Sequence, residues 1–125
     1  MGPERLCRTI KKLRKMKQGE IWYADLEPVK GSEQAGRRPV VIISGPSMNI
    51  ALPIVITCPL TSVIKNIKGC IVIEKNEINN LKKNSEVLAI HIRTVSKNRL
   101  SKKIGNISKS EVEQIKAGIN LYLNY

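Results

Sequence analysis

The sequence predicts a mainly β domain with a C-terminal helix, α+β in class, its strands forming a small barrel or sandwich. Three observations carry that prediction. The 125-residue chain has no Phe and only 3% aromatic residues, so its core must be built from Ile, Val and Leu. Such branched side chains suit pleated strands. Short apolar runs alternate with Gly, Pro and Lys/Asn-rich breaks at intervals that fit a small all-β unit. From Ser108 onward the apolar residues recur at helical spacing instead.

The elements follow in order. Residues 1–15 form a basic N-terminal extension, helical or disordered, in which Leu6, Ile10 and Leu13 make a thin apolar stripe. The main domain is residues 16–125. Its expected strands are Glu20–Leu26, Pro39–Ser44, Ile54–Leu60, Cys70–Glu74 and Glu86–Val95, with breaks at Glu27-Pro28 and Gly45-Pro46. Alternation along the fifth places Leu88, Ile90 and Ile92 on one face and Val87, Ala89, His91, Arg93 and Val95 on the other. The linkers Ser62–Gly69 and Glu77–Lys83 are polar and Lys/Asn-rich, hence expected to be exposed and mobile. Ser108 and Glu111 make a capping box, with Ile107 and Val112 as its hydrophobic staple. Val112, Ile115, Ile119 and Tyr122 share one face of the helix that follows. Gly118 costs that helix about 1 kcal/mol relative to alanine, which points to close packing against the sheet or a partner subunit.

Composition narrows the function classes. A length of 125 residues suits one domain with one modest core. Hydrophobic residues at 42% and charged residues at 26% fit a folded soluble protein. The net charge of +12 points to a polyanionic partner. Half of that charge lies in residues 1–17, where seven Lys and Arg face only Glu4, and the remainder of the chain is still basic. A solvated basic surface and a membrane-surface helix are the other readings of that charge. Four aromatic residues, Trp22, Tyr23, Tyr122 and Tyr125, are too few for a broad base-stacking platform. Cys7, Cys58 and Cys70 have neither metal-ligand nor disulfide-framework spacing, so reduced thiols in a cytoplasmic protein are expected. No apolar run approaches membrane-spanning length.

The most informative stretch is Gly31-Ser32-Glu33-Gln34-Ala35-Gly36-Arg37-Arg38-Pro39, which runs directly into Val40-Val41-Ile42-Ile43. Glycines let backbone approach a ligand, and two guanidiniums there offer forked hydrogen bonds to phosphate. Pro39 restricts Arg38 to an extended conformation. This stretch closely resembles the signature loop of the MazF/PemK family of toxin endoribonucleases. Three further segments match in order: Gly19–Pro28, Cys58-Pro59-Leu60-Thr61-Ser62, and Ile92-Arg93-Thr94-Val95 with Asn98-Arg99-Leu100. Agreement extends from about Lys17 to the C-terminus.

The resemblance implies an SH3-like small β-barrel with a C-terminal helix, the fold shared by CcdB and MazF toxins. It implies a homodimer that cleaves single-stranded RNA at short sequences, with no metal or other cofactor, and so stops translation. It also implies a cognate antitoxin whose acidic, disordered tail folds into the same groove. Arg38 occupies the position of the family arginine that stabilises charge on the phosphate; an arginine cannot act as a base, its pKa being above about twelve. Thr61 matches a family active-site threonine, suited to hold a phosphate oxygen or the attacking 2′-hydroxyl. Glu33 matches a glutamate implicated in activity and would hold Arg38 or position RNA. Ser32, Gln34, Arg37, Ser62, Lys65, Lys68, His91 and Arg93 are candidate RNA contacts. Loop capping is the alternative for Ser32, Glu33 and Gln34, and an ion pair with Glu86 or Asp25 for Arg93. His91, the single histidine, cannot supply both acid and base. One departure stands out: many relatives carry an acid just before the His91 position, and here that residue is Ile90.

Two other classes remain in view. A CcdB-like gyrase poison would end in Trp-Gly-Ile, whereas this chain ends Leu121-Tyr122-Leu123-Asn124-Tyr125. A non-catalytic RNA-binding module would keep the charge and lack the chemistry.

Overall fold

Seven strands and two helices follow one another in the computed structural model, which describes residues 16–26 and 36–125. They are β1 (Glu20–Leu26), β2 (Gly36–Ile42), α1 (Pro46–Ala51), β3 (Ile54–Thr61), β4 (Ile71–Ile73), β5 (Ser85–Val87), β6 (Arg93–Ser96), β7 (Leu100–Asn106) and α2 (Lys109–Asn124). The expected N-terminal helix and Cys7 lie outside the described residues. All strand pairs are antiparallel, in the order β4-β5-β3-β2-β1-β7, with β6 also paired to β3. The mainly β architecture with a C-terminal helix is therefore as expected, but among the described residues the sheet stays open: β4 and β7 end the row without pairing.

Alternation in β2 explains where the core sits. Val41 and Ile43 join Ile21, Cys58, Leu60, Ile73, Val87 and the α2 residues Val112 and Ile115 in one apolar cluster. Val40 and Ile42 point the other way, into a second cluster with Met16, Ala24, Val55, Val95 and Leu100. The continuous apolar run Val40–Ile43 is what a strand buried on both faces requires. Each fully buried aliphatic side chain contributes about 1.5–3 kcal/mol to holding the layers together. Helix α2 begins as its sequence dictates. Ser108 Oγ accepts the Glu111 N–H at 3.1 Å, and the Glu111 carboxylate accepts the Ser108 N–H at 2.8 Å.

The expected fifth strand is broken, and Pro59 explains the break. Thr61 faces Glu86 and Leu60 faces Val87, so the same register sets Pro59 opposite Leu88. Leu88 donates its N–H to the Pro59 carbonyl at 2.9 Å. Proline has no N–H to return, so the Leu88 carbonyl takes the His91 N–H at 3.0 Å instead and the chain turns through a 3-10 helix at Ala89–His91. Pairing with β3 resumes at Thr57 opposite Arg93. The expected faces are thereby scrambled: Val87, Ala89 and Val95 are buried, while Ile90, His91, Ile92 and Arg93 are exposed. Strand β7 and the short α1 were not expected at all.

The two linkers are exposed as expected, but both are tied down. Asn79 is 1% exposed; its side-chain oxygen accepts from the N–H of Asn76 and Leu81, and its amide donates to the Glu74 carbonyl. This asparagine cage packs on Gly105 of β7, where an added Cβ would meet the Asn79 carbonyl oxygen at 2.5 Å. Ser62–Gly69 is held from beneath by Glu86, which accepts the N–H of Lys65 and of Ile67. At its far end the Tyr122 hydroxyl donates to the Lys68 carbonyl at 2.5 Å and lies 3.3 Å from Cys70 Sγ. The bond with Cys70, aided by burial, pushes the Tyr122 phenol up to about 12.

Burial also pushes the Cys58 thiol up to about 12, with Cys70 adding to the effect. At pH 8 its thiolate is then roughly one part in ten thousand. Iodoacetamide at pH 8 should leave Cys58 unmodified in the native protein and label it after denaturation, as read by peptide mass mapping. Native labelling as fast as in the unfolded chain would contradict a core position.

Candidate functional site

A groove of about 440 Å³ opens where β1, β2 and β3 meet the end of the asparagine cage. One side presents Tyr23, Arg38 and Pro39; the floor and next wall carry Leu60, Thr61, Ser62 and Val63. Asn80, Leu81, Lys82, Lys83, Ser85 and Ile104 close the other side. The described lining holds three cationic side chains and no carboxylate. Such a surface attracts an anion through charge and offers it directed donors.

Arg37 and Arg38 were expected in a loop and instead belong to β2, opposite Asp25 and Ala24 of β1. The strand gives Arg38 a fixed origin, in keeping with the extended backbone Pro39 imposes. Alternation sends Arg37 to the side of Tyr23, and its guanidinium sits 4.9 Å from the Tyr23 ring centroid. Thr61 ends β3. The β2–β3 register, carried two residues past Val40 opposite Pro59, leads to Arg38 opposite Thr61. Both line the groove. Thr61 Oγ1 accepts the Val63 N–H at 3.1 Å, which leaves the hydroxyl hydrogen available for a ligand.

The sequence-derived candidates divide accordingly. Arg38, Thr61 and Ser62 are brought together in the groove. Glu33, Ser32 and Gln34 lie outside the described residues. Lys65 and Lys68 are exposed on the tethered linker beyond the groove lining. His91 and Arg93 are exposed near the broken strand, also away from that lining. The suggested ion pairs of Arg93 with Glu86 or Asp25 do not form among the described residues; the Glu86 carboxylate accepts the N–H of Lys65 and of Ile67 instead.

Sequence reasoning missed Lys82, Lys83 and Asn80 as groove residues, and treated Tyr23 only as a scarce aromatic. The signal was present in the Lys/Asn-rich run Asn79–Asn84, read as a linker. Its place at the groove depends on Asn79 and Gly105 packing, which no local pattern announces.

An open antiparallel sheet, a capping helix and a groove lined by three cationic side chains define a small basic α+β domain. The chain belongs to the family of PemK-like, MazF-like toxins of type II toxin–antitoxin systems, whose family model matches residues 17–123. It is 39% identical over 110 residues to the endoribonuclease MazF of Staphylococcus saprophyticus, covering 86% of this chain and 91% of that protein. It is 37% identical to the endoribonuclease MazF of Staphylococcus epidermidis over the same shares. Among solved structures, MazF from Deinococcus radiodurans is similar with a TM-score of 0.72 at 22% identity, over 88% of this chain and 97% of that one. A mycobacterial endoribonuclease in complex with its cognate antitoxin gives a TM-score of 0.71 at 19% identity, over 86% and 94%. Among the described residues no helix is long and apolar enough to cross a membrane.

Proposed function

We propose that this protein is the toxin of a type II toxin–antitoxin pair and cleaves single-stranded RNA. The observation that carries the reading is the meeting of Arg38 and Thr61 in one cationic groove, in a chain 39% identical to an endoribonuclease MazF. The substrate's own 2′-hydroxyl attacks the adjacent phosphorus, and the P–O5′ bond breaks. The products are a 2′,3′-cyclic phosphate and a 5′-hydroxyl end, so the protein supplies no nucleophile and needs no metal. Arg38 holds the charge that builds on the phosphoryl oxygens. Thr61, its acceptor side occupied by Val63, donates its hydrogen to a phosphate oxygen. Glu33 orients Arg38 or the RNA. Ser62, Lys65, Lys68, Arg37, Ser32 and Gln34 contact the strand, and His91 and Arg93 add contacts outside the groove lining.

The protein works in the cytoplasm as a homodimer, and an antitoxin with an acidic disordered tail blocks the groove. The antitoxin complexes among its structural relatives support that partner. The test is incubation with long single-stranded RNA in EDTA, with mapping of the product ends. Cyclic-phosphate and 5′-hydroxyl ends support the reading. Tight, salt-sensitive binding by a folded, antitoxin-free protein that never cuts would identify a binding module instead.

Lys82 and Lys83 add two phosphate contacts on the wall opposite Arg38. In an Arg38→Ala background, which separates binding from cleavage, replacing both lysines by alanine should lower the log–log salt slope of RNA affinity by up to about 1.4. An unchanged slope, measured by fluorescence anisotropy, would remove these lysines from the RNA path.

A further inference from the structure

Glu86 is a buried acid that the proposed chemistry does not use. It sits at the centre of β5, directly opposite Thr61 on β3, and is 0% exposed. Burying a carboxylate is costly unless its oxygens are satisfied. Here no cation satisfies them among the described residues. Oε1 accepts the Lys65 N–H at 2.8 Å, and Oε2 accepts the Ile67 N–H at 2.7 Å. Between them Asn66 adopts a left-handed turn at φ 53°. That turn folds the flanking amides toward one anion, as backbone nests do. The next amide toward the groove, Val63 N–H, donates to Thr61 Oγ1 at 3.1 Å. Three alternate amides of this linker are thus held by side-chain oxygens, two of them from Glu86.

The consequence falls on Thr61. Its Oγ1 is engaged by the Val63 amide, and two residues further along Glu86 takes the N–H of Lys65 and then that of Ile67. A glutamine at this position would keep one acceptor and turn its NH2 group against the other backbone donor. An apolar residue would fill the same space and hold neither amide. A carboxylate is the group that meets both donors.

Resting on the reading of the groove as an RNA-cleaving site, we infer that Glu86 is a positioning residue for the reaction. It never touches RNA. Through Lys65, Ile67 and Val63 it orients the Thr61 hydroxyl toward the phosphate. Preorganised donors lose their advantage when they must be reoriented during the reaction.

The experiment compares Glu86→Gln in wild-type and Thr61→Val backgrounds, measuring kcat and KM for RNA cleavage together with amide hydrogen exchange. In the wild-type background kcat should fall at least 10-fold with KM changed less than 3-fold. In the Thr61→Val background the same substitution should change kcat less than 2-fold, because the group it orients is gone. Equal losses in both backgrounds would reduce Glu86 to a structural role and overturn the inference. Exchange is read independently of catalysis. Lys65 and Ile67 amides should be protected at least 10-fold in the wild-type protein despite their exposed linker, and unprotected amides there would also overturn it, whether or not the variant folds. If the wild-type protein cuts no RNA while both amides are protected, the reading of the groove fails rather than the grip of Glu86 on the linker.

Discussion

Arg38→Ala should lower kcat for RNA cleavage by about 10²–10³-fold, the effect of removing one preorganised charged donor at roughly 3–4 kcal/mol. The loss should appear in kcat more than in KM. The charge Arg38 meets is greatest on the pentacoordinate phosphorus, and a donor strengthened there accelerates the step without tightening the ground state. Arg38→Lys should recover only part of the rate, since an ammonium keeps the charge but lacks the planar fork. The fold should survive both changes, because Arg38 is exposed near the start of β2 and outside both core clusters. Wild-type kcat with wild-type product ends in the alanine variant would take Arg38 out of the mechanism and leave the groove without its principal charge stabiliser.

Gly118→Ala should destabilise the protein, against the usual sign of that change. In the middle of an ordinary helix, replacing glycine by alanine stabilises by about 1 kcal/mol. Here an added Cβ would lie 1.8 Å from the Gly69 carbonyl oxygen and 2.9 Å from its carbon. Both partners are backbone, so neither can swing away. Gly69 is itself confined, with φ at +91° and the Tyr122 ring where its own Cβ would be. Overpacking of this kind costs about 1–3 kcal/mol or more, which exceeds the propensity gain. The expected result is a lower Tm and a lower denaturation midpoint. The neighbouring exposed Ala117→Gly supplies the ordinary helical scale for comparison. A rise in Tm for Gly118→Ala would mean that helix α2 and the linker do not approach so closely. Because Gly69 ends the linker that begins beside Thr61, a folded Gly118→Ala protein should also lose activity.

What the sequence made legible was local. β1 was readable to its exact limits and β3 to one residue, because alternation and terminal breaks both lie inside the segment. Helix α2 announced its start through Ser108 and Glu111, four consecutive positions whose bonds are internal. Gly118 was readable as a close contact, although not which backbone it meets. The failures are non-local. The break at Ala89–His91 depends on a proline in a different strand, since Pro59 deprives Leu88 of a partner some thirty residues away in sequence. The linker after Thr61 reads as mobile because its own residues are polar; its anchor, Glu86, arrives through strand pairing. At the site, Arg38 and Thr61 were found through a family motif, not through spacing, for nothing in either segment indicates that β2 and β3 bring them together. Lys82 and Lys83 belonged to no motif and were missed for that reason.

The linker Ser62–Gly69 is held by its main chain. Glu86 and Tyr122 grasp amides and a carbonyl, and Gly118 presses on another peptide group. Lys65, Asn66 and Lys68 meanwhile direct their side chains to solvent. Every residue other than proline carries the same amide, so the outward side chains of Lys65 and Lys68 can be exchanged while the contour they decorate stays put; Asn66 alone is tied to its place by the left-handed turn at φ 53°. Shape and lettering are separately editable in this segment. On the proposed reading of the groove, such a linker lets RNA contacts change one surface substitution at a time, with the cutting geometry left where it was.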